Sequence, residues 1–149
     1  VNAPTILLIE DNADDAALIV EGLARAIPRD HIEVCHDGNL ALEFLRRRSA
    51  GTRQETPELP MFALLDLGLP GLGGLQVLRA IRAEPALRLL PVTVLSASDS
   101  VADVRAAAQL GANSFVRKPA EGRQLVDTLG QLARYWLELN IPPPCCAGQ

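Results

Sequence analysis

Short apolar runs alternate with stretches of helical period along the chain. "TILLIE" (5–10) reads as a buried strand, and "DDAALIVEGLARAI" (14–27) as a helix with Ala17, Val20, Ala24 and Ile27 on one stripe. "HIEVCH" (31–36) predicts a second strand, and "NLALEFLRRR" (39–48) a second helix that Asp37 is suited to cap. Residues 49–60, "SAGTRQETPELP", have no apolar period and many breakers, as a loop would. The third strand opens "FALLDLGLPGLGG" (62–74), which ends its apolar run on the bare carboxylate of Asp66 and then breaks into glycines and a proline. A helix follows in "LQVLRAIRA" (75–83), a strand in "LLPVTVLS" (89–96), and a helix in "VADVRAAAQLG" (101–111) closed by Gly111. "NSFVRK" (113–118) predicts a fifth strand and "EGRQLVDTLGQLARYWLEL" (121–139) a long last helix.

Five strands alternating with five helices predict an α/β fold, a doubly wound parallel sheet with helices on both faces. Right-handed crossovers leave few topologies, of which the flavodoxin-like order 2-1-3-4-5 is the commonest for five strands. At 149 residues the chain fits one domain. Residues 1–140 are read as that domain and 141–149 as a flexible tail. Aromatics make up only 3% of the chain, so the core must be built from Leu, Val, Ile and Ala. A net charge of −4 gives no general attraction to nucleic acid or to anionic membranes. No apolar run approaches the ~18 residues of a membrane span. The start lacks the basic and apolar blocks of a secretory signal, so the expected location is the cytoplasm. Cys35, in an apolar run, is expected to be an inert core residue. Cys145 and Cys146 are expected to lie reduced in the tail.

In such a sheet the ligand site lies outside the carboxyl ends of the strands, where strand order reverses. Those ends carry Glu10 and Asp11, Asp66, Ser96 and Lys118. The second strand ends in His36 and Asp37, but an outer strand sits away from the reversal. One site would thus collect three carboxylates, a hydroxyl and an ammonium. Clustered carboxylates repel unless a cation joins them, and oxygen ligands of this kind suit Mg²⁺. A hydroxyl and a lysine opposite supply a donor and a point charge for phosphoryl oxygens. One carboxylate can itself be a nucleophile that forms an aspartyl phosphate. Asp66 is the candidate, because it leaves a central strand just before glycines that let backbone groups approach.

From residue 5 to about 139 the chain resembles the receiver domain of two-component response regulators. The resemblance rests on "LLIEDN", "LLDLGLPGLGG", "VTVLSAS" and "SFVRKPAEGRQL", in that order and spacing. It implies Asp66 as phosphoacceptor, Asp11 as a direct Mg²⁺ ligand, Glu10 acting on the metal mostly through water, and the Gly68 carbonyl completing the protein ligands. It further implies that Ser96 bonds a phosphoryl oxygen, that Lys118 pairs with the phosphoryl group, and that Phe115 is the switch aromatic. The Lys118–Pro119 bond falls where the family often has a cis peptide. The partner so implied is a histidine kinase. Within the family, the long loop before the third strand and the aromatic end of the last helix look most like single-domain regulators that partner phytochrome kinases. The family often carries a larger, polar side chain at Gly68. Hydrolysis of the acyl phosphate is therefore expected to differ from that of such relatives.

Several positions also have plainer readings. Asp14 or Asp15 is expected to cap the first helix. Thr93 rivals Ser96 but lies inside its strand, three residues away and so on the other face. His31 and His36 lack partners at metal-ligand spacing and are expected to be solvated. Arg46, Arg47 and Arg48 suit the helix C-terminus they occupy. On the last helix Leu125, Leu129, Leu132 and Trp136 form a sheet-facing stripe. A second stripe, with Val126, Ala133, Leu137 and Asn140 and with Tyr135, Leu139 and Ile141 nearby, is expected to be an exposed patch buried by a second copy of the chain. Trp136 is counted with that homodimer interface. With little chain after residue 140, output is expected to be a protein contact or onward phosphoryl transfer. A phosphorelay intermediate and a chemotaxis-type regulator are alternatives. A hydrolase working through an aspartyl phosphate would place a second Asp two residues after the nucleophile, where this chain has Gly68. A degenerate receiver that binds partners without phosphorylation fits poorly with Glu10, Asp11, Asp66, Ser96 and Lys118 all present.

Overall fold

The computed structural model describes residues 5–51 and 59–144. Four-residue β1 (Ile6–Ile9) is buried throughout, as its unbroken apolar run requires of a central parallel strand. Helix α1 (Ala13–Leu23) follows, then a single 3₁₀ turn (Arg29–His31), β2 (Ile32–Cys35) and α2 (Gly38–Ala50). Strand β3 (Phe62–Asp66), α3 (Gly74–Ala83), β4 (Val92–Ser96), α4 (Val101–Gln109), β5 (Ser114–Arg117) and α5 (Gly122–Arg134) complete the alternation. All pairings are parallel, in the order β2-β1-β3-β4-β5, so the expected doubly wound flavodoxin-like sheet is present. The order reverses between β1 and β3, which fixes where the ligand crevice opens.

Alternation along the strands divides the core in two. Leu7, Ile9, Ala63, Leu65 and Val92 face α2 and α3, whereas Ile6, Leu8, Phe62, Leu64 and Leu95 face α1 and α5. The second layer depends on a close approach between α1 and α5. A Cβ on Gly22 would run into the Val126 carbonyl, so only glycine lets the helices touch there. Gly74 plays a similar part at the start of α3, where a Cβ would collide with the Asp66 carbonyl and the Leu67 Cα. That contact is what lets the chain fold straight back beneath the end of β3.

Several details differ from the sequence reading. The buried stripe of α1 is Ala16, Ile19 and Leu23, continuing to Ile27, rather than Ala17, Val20, Ala24 and Ile27. Alanine and aliphatic residues surround this helix, so its period does not fix the inward face, and the Gly22 contact with α5 does. The cap of α1 is Asn12, whose side chain accepts from the Asp15 N–H, so neither Asp14 nor Asp15 is the cap. Asp37 does cap α2, accepting from Leu40 N–H. Helix α2 runs on to Ala50, beyond the predicted end, and Arg46 there pairs with Glu84, just past the end of α3, at 2.6 Å. Of the loop expected over 49–60, residues 52–58 lie outside the described residues, as do Cys145 and Cys146. Cys35 is buried, and burial, with Glu33 and Asp37 adding to it, pushes its thiol up to about 11, in keeping with an inert core role.

The last helix closes on a π turn over Tyr135–Leu139, with Asn140 N–H donating to the Tyr135 carbonyl at 2.7 Å. Trp136 continues the sheet-facing stripe of Leu125, Leu129 and Leu132, as expected, and stacks on Phe62 at 5.8 Å between ring centroids. Trp136 and Val126 are therefore buried within their own chain and are not exposed interface residues. Of the expected patch, Tyr135, Leu139 and Ile141 are exposed, while Ala133 is buried and Leu137 is half-buried against the α1–α5 layer.

Candidate functional site

The site is assembled from strand ends. Glu10 follows β1, and its N–H donates to the Cys35 carbonyl, which holds it in the sheet for one residue more. Asp66 is the last residue of β3, its side chain 13% exposed. Carboxylate oxygens of Glu10, Asp11 and Asp66 lie within 4.8 Å of one another. Gly68, in the turn beyond, donates its N–H to Asp66 Oδ1 at 3.1 Å.

Lys118 enters from the end of β5. Its backbone N–H donates to the Ser96 carbonyl at 2.7 Å, which fixes the lysine relative to β4. Its Nζ stands 2.5 Å from Glu10 Oε1, 3.1 Å from Asp15 Oδ2 and 3.9 Å from Asp66 Oδ2. Burial opposes the lysine charge, but the Glu10 hydrogen bond and the nearby carboxylate of Asp66 outweigh it and hold the ammonium above its usual range. Glu10 is fully buried. Burial first, and the adjacent Asp66 next, push its carboxyl up to about 8 against the opposing pull of Lys118.

One polar atom in this cluster lacks a protein partner among the described residues. It is Oε2 of Glu10, wholly buried. A fully buried carboxylate oxygen without a donor is costly unless something cationic or hydrated meets it. The donor set is all oxygen and bears three potential negative charges, which fits a hard divalent cation.

Ser96 ends β4, directly beside the β3 terminus, since Asp66 pairs with Leu95. Its Oγ accepts from the Ser98 N–H at 3.1 Å, which leaves the hydroxyl hydrogen available to a phosphoryl oxygen. Thr93 instead lies buried on the α5 side of the sheet, bonded to Ser114 and to the Trp136 indole. Phe115 sits half-buried on β5 opposite Val94, apart from the acidic cluster. No peptide bond among the described residues is cis, so Lys118–Pro119 is trans, the form X-Pro bonds modestly prefer.

Two residues at this edge carry more than the sequence reading gave them. Asp15 reaches Lys118 because Asn12, an equally good capping residue, has taken the cap position. Asn at the residue before a helix was the signal that distinguishes them. His36 is exposed but not without a partner, since its Nδ1 lies 3.0 Å from the Glu10 carbonyl, to which it donates. Only the pairing of β1 with β2 brings that contact about, and no spacing in the sequence announces it.

Residues 6–130 match the response regulator receiver domain, and the chain belongs to that family. A probable methanogenesis regulatory protein, FilR2 of Methanothrix harundinacea, is 39% identical over 138 residues, covering 93% of this chain and 86% of that protein. The crystal structure of a phosphorylated cyanobacterial phytochrome response regulator, RcpA, matches with a TM-score of 0.84 at 32% identity, covering 95% of this chain and 99% of that one. An Mn(2+)-bound response regulator Rcp1 matches with a TM-score of 0.80 at 32% identity over the same shares. The resemblance to phytochrome response regulators expected from the sequence is thus shown by the comparisons.

Proposed function

We propose that this receiver domain accepts a phosphoryl group from a histidine kinase on Asp66 and signals through a changed protein-interaction surface. The observation that carries the reading is the convergence of Glu10, Asp11, Asp66 and Lys118 at the point where the strand order reverses. Asp66 supplies a carboxylate oxygen that forms the new P–O bond as the P–N bond of the donor phosphohistidine breaks and the imidazole leaves. Mg²⁺ held by Glu10, Asp11, Asp66 and the Gly68 carbonyl would supply neutralising charge for the phosphoryl oxygens. The orphaned Glu10 oxygen supports a cation there, and the Mn(2+) in the Rcp1 structure accords with it. Lys118 supplies a second positive charge, and Ser96 a hydroxyl donor.

The switch follows from what these residues already hold. When Ser96 turns to a phosphoryl oxygen, the Ser98 N–H bound to its Oγ draws the β4–α4 loop with it. Phe115 then turns inward on β5, changing the face made by α4, β5 and α5. This chain is a signalling phosphoacceptor in the cytoplasm, not an enzyme acting on an external substrate. We take residues 1–140 as the receiver unit, of which residues 1–4 lie outside the described residues, as do residues 145–149 of the expected tail. Among the described residues no helix is long and apolar enough to cross a membrane. The exposed Tyr135 and Leu139 support a homodimer through the end of the last helix, and the net acidity supports a function without nucleic acid.

The kinase is of phytochrome type on the strength of the RcpA likeness. Phosphotransfer profiling tests this. Purified autophosphorylated kinases are mixed with the chain, and the rate of label transfer is compared across them. Fastest transfer from a phytochrome kinase is expected. Preferential transfer from a chemoreceptor-coupled kinase or a phosphotransfer protein would favour the chemotaxis or relay reading instead.

A further inference from the structure

The Lys118 ammonium is shared among three carboxylates from three separate elements. Glu10 follows β1, Asp66 ends β3, and Asp15 projects from the first turn of α1. Nζ sits closer to Asp15, at 3.1 Å, than to Asp66, at 3.9 Å. The distance to Asp66 is too long for a hydrogen bond, whereas that to Asp15 is within range. The lysine that should pair with an incoming phosphoryl group is therefore anchored away from it. Beside it a groove of about 680 Å³, bounded by Asp15, Ala97, Lys118 and Gln124, leaves the lysine head room to move.

We propose that Asp15 is a positioning residue that restrains Lys118 in the unphosphorylated protein and competes with the phosphoryl group for its ammonium. This rests on the reading of Asp66 as phosphoacceptor. An ammonium has three hydrogens to give, and Glu10 and Asp15 already claim two. Phosphoryl oxygens arriving at Asp66, whose own carboxylate is 3.9 Å from Nζ, add acceptors that draw the ammonium toward that side chain. Glu10 belongs to the same acidic group as Asp66 and can keep its bond. One hydrogen is left for a first phosphoryl oxygen, and a closer approach to Asp66 lengthens the bond to Asp15, the one of the three partners outside the acidic triad. Its side chain is 35% exposed, so water can take over from the lysine at modest cost. Asp15 thus raises the threshold for phosphorylation without touching the reacting atoms.

The test uses the full chain with acetyl phosphate and Mg²⁺, comparing wild type with Asp15→Asn, Asp15→Glu and Asp14→Asn. Asp14 is exposed on the same helical turn, so its variant reports the general effect of removing one negative charge near an anionic donor. In Asp15→Asn the donor concentration giving half-maximal phosphorylation rate should fall about threefold relative to Asp14→Asn, as expected for a partly exposed ion pair. Asp15→Glu should behave as wild type. A merely structural Asp15 would change thermal stability and leave that concentration alone. Equal behaviour of Asp15→Asn and Asp14→Asn, or a higher donor requirement in Asp15→Asn, would overturn the proposal while leaving Asp66 as phosphoacceptor. A wild type that takes up no phosphoryl group would overturn both.

Discussion

The Trp136 indole N–H donates to Thr93 Oγ1 at 3.0 Å, joining the end of the last helix to the middle of β4. Thr93 is fully buried and also bonds Ser114 Oγ at 2.8 Å, so the three side chains satisfy one another in a layer that is otherwise apolar. Thr93→Val would leave a buried indole N–H without an acceptor and should destabilise by about 1–3 kcal/mol. Trp136→Ala should cost more, roughly 3–5 kcal/mol, because it also empties the place against Phe62. Chemical denaturation followed by circular dichroism checks both, and a neutral Thr93→Val would show that water replaces the threonine.

This burial moves the test of self-association away from Trp136. Leu139 is 73% exposed and Tyr135 47%, and both lie on the π turn. Leu139→Glu should shift the sedimentation profile toward monomer and make the denaturation midpoint independent of protein concentration. A wild type already monomeric at high concentration would end the dimer proposal.

A Cβ on Gly68 would stand 3.6 Å from both Asp66 oxygens, an ordinary van der Waals distance. A side chain there fits over the carboxylate without strain, and glycine leaves that approach open. Gly68→Asn should therefore change the dephosphorylation rate of Asp66, read as the decay of bound phosphate after donor removal. An unchanged rate would reduce Gly68 to a turn residue.

Glu10 makes stability depend on pH in a defined direction. Its folded carboxyl titrates near 8 against an ordinary 4.5, so the folded protein holds a proton that the unfolded chain releases. That contribution is complete below about 4.5 and is lost as pH rises through about 8. In a chelator the unfolding midpoint should fall across this window, and saturating Mg²⁺ should flatten the fall by pairing the carboxylate. Glu10→Gln should flatten it without metal. A decline equally steep in Glu10→Gln would assign the effect to another group.

The sheet and the cluster were legible because both follow from simple periods. Unbroken apolar runs gave the central strands, and placing polar residues at their carboxyl ends selected Glu10, Asp11, Asp66, Ser96 and Lys118 before any resemblance was invoked. What escaped depends on contacts between distant segments. The inward face of α1 is set by Gly22 against α5, so Val126 disappears into the core although its stripe looks free. The period of the last helix does place Trp136 on the sheet-facing stripe, where it is buried, and it is counting it with the interface as well that fails. Asp15 and His36 acquire their partners only through the sheet's crossovers.

The central claim is that Asp66 carries the phosphoryl group, and reductive trapping tests it most directly. The chain is incubated with acetyl phosphate and Mg²⁺, then reduced with borohydride, which converts an aspartyl phosphate to homoserine, and the product is mapped by mass spectrometry. Homoserine at residue 66 of the wild type, with none in Asp66→Asn, is the expected result. Homoserine at Asp11 or any other aspartate, 2-amino-5-hydroxyvaleric acid at Glu10 or any other glutamate, or labelling that persists in Asp66→Asn, would contradict it.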